Sequence, residues 1–174
     1  MKIKENQEAP MFPTEDIYGK SISIPVKNKK TLLCFMRFAG CPVCNLRVHE
    51  LLKNADKFEA KNIQVILVYE SGKETMLEYL QNENFPFVFI SDKENKLYNL
   101  YSVEKSFRKL MSGMFHGAMG KAISGKKLFR KAVPVESGMT RMNAEFLIDE
   151  KGKIDLAHYS DYFGDELSIQ KILG

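Results

Sequence analysis

Cysteine is scarce in this chain, and so are long apolar runs and any large excess of charge. Three cysteines among 174 residues, two of them in one C-x-x-C, do not make a disulfide framework. In a reducing compartment a pair so spaced is more often catalytic or metal-binding. Residues 1–10 carry Lys2, Lys4, Glu5 and Glu8 and no apolar stretch that could form a signal-peptide core. The apolar runs elsewhere, such as residues 63–69, fall far short of a membrane span. The chain is therefore expected to be cytoplasmic, with no membrane partner. A formal net charge of +4 is too small to argue for nucleic acid or an acidic membrane surface unless the bases are concentrated in a patch. No repeat, low-complexity tract or linker interrupts the chain, so residues 1–174 are expected to form one domain.

What is present is ordinary globular composition, 44% hydrophobic and 28% charged, and a legible alternation of strand and helix. Residues 9–20 contain Pro10, Pro13 and a turn at Tyr18-Gly19-Lys20, which predicts an extended arm. Residues 21–26 suit a short edge strand, since Pro25 is tolerated only at an edge or an end. The run TLLCFMRF at 31–38 is nearly continuous and predicts a central strand covered on both faces. Gly40 then permits a tight turn, and Pro42 suits the first turn of a helix, where its missing amide hydrogen costs nothing. Cys44, Val48, Leu51, Leu52, Ala55 and Phe58 recur at helical spacing over about four turns. A strand at 63–69, a helix at 74–81, a strand at 85–90 ending at Ser91-Asp92 and a short helix at 96–101 follow, implying parallel pairing with right-handed crossovers. Residues 103–131 are expected to be helical in places, broken by Gly113, Gly117, Gly120 and Gly125. A hairpin of 144–148 and 153–159 about the turn Asp149-Glu150-Lys151-Gly152, then a helix from 165 to 173, close the chain.

The chemistry is concentrated in Cys41-Pro42-Val43-Cys44. Two cysteines at a helix start can close a disulfide and reopen it with little backbone motion. The unpaired amides of the first turn and the helix dipole stabilise an anion there, so a thiolate forms at Cys41 at lower pH than in a free thiol. Cys44 shares a helical face with Val48 and Leu51, whereas Cys41 lies at the turn, which predicts an exposed Cys41 nucleophile and a covered Cys44 that resolves a mixed disulfide or a sulfenic acid. Arg37 and Arg47 add to the effect if they point toward the pair. The competing reading makes the pair half of a zinc site completed by His49, His116 or His158, but a closed site normally needs a second close-spaced pair, and none exists. No metal and no other cofactor is expected. Cys34, inside an apolar strand, reads as a core residue.

Set side by side, these residues make the chain resemble the alkyl hydroperoxide reductase and thiol-specific antioxidant group, the peroxiredoxin-like branch of the thioredoxin superfamily. The features that carry the resemblance are Ala9-Pro10-Met11-Phe12 followed by Asp16-Ile17-Tyr18-Gly19-Lys20, then Phe38-Ala39-Gly40-Cys41-Pro42-Val43-Cys44, then Phe146-Leu147-Ile148-Asp149-Glu150-Lys151-Gly152. The stretch from His158 to Asp165 is similar to the tail of peroxiredoxin-like proteins that carry a C-x-x-C. The resemblance implies an α/β thioredoxin-like fold, a central mixed sheet flanked by helices, with a helical insertion over 103–136 before the C-terminal hairpin. It implies an antioxidant oxidoreductase acting on a peroxide or a protein disulfide and recharged by an external thiol reductant such as a thioredoxin system. Aligning the family's P-x-x-x-T-x-x-C pattern puts Cys44 at the peroxidatic position, Arg37 in the proline's place and Cys41 in the threonine's. The arginine that family members carry before the late strand falls near Asn143, with Arg141 the nearest basic residue, and Asn143 is not the cis-proline of thioredoxins either.

Two further clusters stand out. Lys121, Lys126, Lys127, Arg130 and Lys131 lack an aromatic stacking platform and read as a solvated helix face, with no nucleic acid implied. Met111, Met114, Phe115 and Met119 are spaced as one helical face, which fits a core stripe or a homodimer contact. The reading from a different class is a non-enzymatic module that binds a partner around Cys41 and this Met-rich insertion, its cysteines structural or zinc-bound.

Overall fold

The computed structural model describes residues 1–80, 85–128 and 138–174. The run at 31–38 becomes β3 (Lys30–Phe35), the middle strand of a five-stranded sheet that also holds β4 (Ile63–Tyr69), β5 (Val88–Ser91), β6 (Ala144–Ile148) and β7 (Ile154–Tyr159), in the order β5-β4-β3-β6-β7. Strands β3, β4 and β5 are parallel, while β6 runs antiparallel to both β3 and β7. Continuous apolarity follows from this placement. Leu32, Cys34 and Met36 enter the core on one side of the sheet, and Leu33 and Phe35 the core on the other. Each such leucine buried contributes roughly 1.5–3 kcal/mol.

The arm at 9–20 forms β1 (Phe12–Glu15), which pairs with β2 (Ser21–Ile24) as a separate two-stranded sheet rather than as an edge of the main one. The single helix expected from Cys44 to Phe58 is two, α1 (Pro42–Leu52) and α2 (Ala55–Ala60). Asn54 breaks it: its backbone leaves the helical region at φ −114°, ψ 12°, while Phe58 is carried onto the same core as Leu51. α3 (Lys73–Leu80) and α4 (Lys96–Leu100) match their expected positions. The Asp92 carboxylate starts α4 by accepting the amides of Lys96, Leu97 and Tyr98 at 2.9, 2.8 and 3.1 Å.

Among its described residues the insertion holds two helices, α5 (Phe107–Phe115) and α6 (Ala118–Leu128). Of its four glycines only Gly117, at φ +84°, separates the helices; Gly113, Gly120 and Gly125 lie inside them. Gln81, Arg130 and Lys131 and the rest of the insertion to residue 136 lie outside the described residues. The last helix, α7 (Ile169–Leu173), is shorter than expected because Glu166 and Leu167 are drawn off to partners on other elements.

Candidate active site at the start of helix α1

The sequence Phe38-Ala39-Gly40 carries the chain from the carboxyl end of β3 into α1, where α/β sheets place their ligand crevices. The Ala39 amide donates to Ser71 Oγ at 2.9 Å and the Cys41 amide to the Phe38 carbonyl at 3.0 Å, which fixes the turn. Cys41 is the N-cap residue, with extended backbone at φ −67°, ψ 115°, and Pro42 opens the helix. Both cysteines are free thiols and approach within 3.0 Å.

Their environments separate them. Burial pushes the Cys41 thiol up, but the Cys44 thiol, the Arg37 guanidinium and the amides of Cys44 and Val43 favour its anion more strongly and hold it down to about 7. Burial, the hydrogen bond to Cys41 and the charge forming there push Cys44 well above the ordinary thiol range. One sulfur is thus poised to ionise and the other to keep its proton.

Arg37 is 4% exposed. Its Nη2 donates to the Met139 carbonyl at 2.5 Å, its guanidinium lies 4.3 Å from the Phe163 ring centroid and 5.4 Å from that of Phe38, and its Nε has no hydrogen-bond partner among the described residues. No carboxylate neutralises it among the described ion pairs. Arg47 behaves differently. It binds Glu145 through Nε and Nη2, each at 2.8 Å, and also reaches the Leu167 carbonyl and Glu50, on the Cys34 side of the helix. The condition on which Arg47 would add to the effect is not met: a buried carboxylate on β6 captures it. Arg141 is likewise engaged, with Glu70 at 2.7 Å, the Val103 carbonyl at 2.6 Å and Asn95 at 2.5 Å, and it stacks on Tyr98. Asn143 is buried, its carbonyl accepting from the Ser160 amide at 3.2 Å and its Oδ1 unpartnered among the described residues.

The expected exposure of Cys41 is also corrected: the residue is 1% exposed. Ala118, Ala122 and Gly125 form a small-residue face of α6 that packs on α1, and a Cβ at Gly125 would fall 1.8 Å from the Pro42 carbonyl oxygen. Phe163 joins the same core. The surface clefts beside Phe58 and beside Val26 contain neither cysteine. Among the described residues, Cys41 and Cys44 are thus buried, 1% and 0% exposed. Sequence reasoning missed Ser71, Phe163 and the α6 contact; the run of alanines and glycines in α6 was the available signal, since small residues permit close helix approach.

The three histidines do not join the pair. His116 stacks on Tyr162 and His158 lies 3.3 Å from Asp165, and among the described residues no three His, Cys, Asp or Glu side chains converge as a metal site.

The sequence model of the AhpC/TSA family matches residues 6–157. The chain belongs to that family. Within the AhpC/TSA proteins it is similar to a putative peroxiredoxin bcp of Buchnera aphidicola subsp. Schizaphis graminum, with 27% identity over 155 residues, 88% of this chain and 82% of the relative. Among solved structures, the peroxidoxin BcpB of Mycobacterium tuberculosis superposes with a TM-score of 0.68 at 13% identity, covering 94% of this chain and 90% of that one. A putative thiol:disulfide interchange protein DsbE of Chlorobium tepidum superposes with a TM-score of 0.62 at 19% identity, covering 90% and 86%. The fold is thus thioredoxin-like, and the protein is a peroxiredoxin-like, thiol-dependent oxidoreductase. Among the described residues no helix is long and apolar enough to cross a membrane.

Proposed function

We propose that this AhpC/TSA protein uses Cys41 and Cys44 as a redox-active dithiol, with Cys41 as the attacking sulfur. The observation that carries the reading is the opposite displacement of the two thiols, Cys41 down to about 7 and Cys44 well up, beside a buried Arg37 that has no carboxylate partner among the described ion pairs. Pro42 starts the helix that supplies the amides, and Arg37 is a positioning residue for the anion. This assignment differs from the family alignment, which puts the peroxidatic sulfur at position 44.

With a hydroperoxide, the Cys41 thiolate takes the distal oxygen as the O–O bond breaks, the alcohol leaves with a proton, and Cys41 becomes a sulfenic acid. The Cys44 thiol condenses with it, releasing water and forming the disulfide. With a protein disulfide, Cys41 forms a mixed disulfide and Cys44 displaces the reduced product. In both cases an external dithiol, a thioredoxin-type reductant, returns two electrons and two protons. A reducing compartment, the cytoplasm, suits a pair that must return to the thiol state.

The test is turnover of hydrogen peroxide and of a protein disulfide such as insulin with each cysteine replaced. Cys41→Ser should abolish both, and Cys44→Ser should accumulate the sulfenic acid or the mixed disulfide, visible by mass spectrometry. Turnover by Cys41→Ser at the wild-type rate would sink the assignment.

A further inference from the structure

The small net charge of this chain conceals a segregation. From residue 105 to residue 128 the sequence carries Lys105, Arg108, Lys109, Lys121, Lys126 and Lys127 and no acidic residue. Three of these bases are engaged by carboxylates from elsewhere in the fold, Lys105 by Glu70, Lys109 by Glu104 and Asp161, and Lys121 by Glu166. Arg108 and Lys126 are exposed and have no ion pair among the described residues.

Leu110, Ala118 and Ala122 of the same two helices pack on the core, but most of their large apolar residues face away from it. In α5 the buried position is Gly113, seated against the backbone of Phe163, while Phe107, Met111, Met114 and Phe115 stand on the opposite side and are exposed, Phe115 to 87%. Their spacing of four, three and one residues is one helical stripe, and it looks outward. In α6 the small residues Ala118 and Gly125 are buried, and Met119 and Ile123 face solvent beside Lys126. An outward Phe and Met stripe with bases at its margin and no acid within its own helices is the composition of a surface that inserts apolar side chains at a lipid boundary while its cations meet anionic headgroups.

We propose that α5 and α6 form a docking surface for an anionic lipid bilayer. A second copy is the poorer occupant, because a two-fold contact pairs the stripe with itself and would bring Arg108 and Lys126 together with the partner's bases with no acid on the stripe to answer them. α6, whose outer face meets lipid, is thus also the helix packed through its inner face on Pro42, at the start of α1. The docking itself requires no redox chemistry, so its failure and the failure of the dithiol assignment are read separately.

The chain has no tryptophan. Phe115→Trp therefore installs a single reporter within the stripe. Its emission should move to shorter wavelength with vesicles of phosphatidylcholine containing phosphatidylglycerol, and not with phosphatidylcholine alone, and the protein should cosediment with the former. Lys126→Glu should weaken this binding by at least about fivefold, and raised salt should weaken it further. Met111→Ser with Phe115→Ser should abolish it while leaving the thermal unfolding midpoint unchanged. The proposal is overturned by an absence of binding to anionic vesicles at low salt. Binding that responds to Lys126→Glu but is indifferent to the serine variant would equally overturn it, by marking a purely ionic surface suited to an acidic protein. So would a solution dimer that dissociates on Phe115→Ser without any vesicle binding.

Discussion

In the proposed dithiol, Arg37 acts on Cys41 through proximity. A buried guanidinium is costly unless an anion meets it, and the described neighbours of Arg37 supply only a carbonyl and two aromatic rings. Alkylation of Cys41 by iodoacetamide should therefore rise with pH about a midpoint near 7. Arg37→Met should move that midpoint toward the free-thiol value of about 8.5 and slow labelling at pH 7 on the order of tenfold. A midpoint left in place would remove Arg37 from the site. Arg47→Met is the contrasting substitution. It leaves Glu145 buried without its cation, so denaturant unfolding should show a loss of about 3–5 kcal/mol, with the Cys41 midpoint unchanged.

Among the elements, α6 is the one packed on the start of α1. Gly125 is in contact with the Pro42 backbone, whereas Gly120, in the same helix, has no atom within 4 Å of the position a Cβ would take. Gly125→Ala should push α6 off α1, costing about 1–3 kcal/mol despite the better helix former, and should speed Cys41 alkylation. Gly120→Ala should be neutral or stabilise by up to about 1 kcal/mol, with no change in alkylation. Equal behaviour of the two variants would show that α6 is not the cover. The contrast also shows why four glycines read alike in the sequence: one breaks the helix, two are contact points, and one is merely exposed, and spacing alone does not distinguish a break from a contact.

Over the whole molecule, the N-terminal arm closes on the C-terminal hairpin. The Asn6 amide donates to the Ile154 carbonyl at 2.8 Å, and the Ile154 amide donates to the Gln7 carbonyl at 2.9 Å. The Ile3 amide also donates to the Tyr159 hydroxyl and the Met1 carbonyl accepts from the Ser102 hydroxyl, so deleting residues 1–8 should lower stability by about 2–4 kcal/mol, at about 1 kcal/mol per bond, read as a lower urea midpoint. The buried thiols also tie stability to pH. Cys41 has its folded value depressed, so the reduced protein should gain stability as pH rises from about 7 toward the unfolded thiol value of about 8.5. Above that value Cys34 and Cys44, both held protonated by burial, should reverse the trend as the unfolded thiols ionise. Urea titrations of the reduced protein across this range check the sign.

The continuous run at β3, the Gly40 turn and the Pro42 helix start were legible because each is a local rule: apolar period, φ permission, a missing amide hydrogen. They sufficed to put a cysteine pair at a helix N-terminus and to suggest which sulfur ionises. Which arginine meets that sulfur was not local. Arg37, Arg47 and Arg141 are alike in sequence, and they are sorted only by where Glu145 and Glu70 stand once β6 and β4 are packed, because a carboxylate within hydrogen-bond reach fixes the direction of a guanidinium. The cover over Cys41 was equally a matter of tertiary structure, since it depends on a helix some 80 residues further along the chain approaching as closely as Ala118, Ala122 and Gly125 permit.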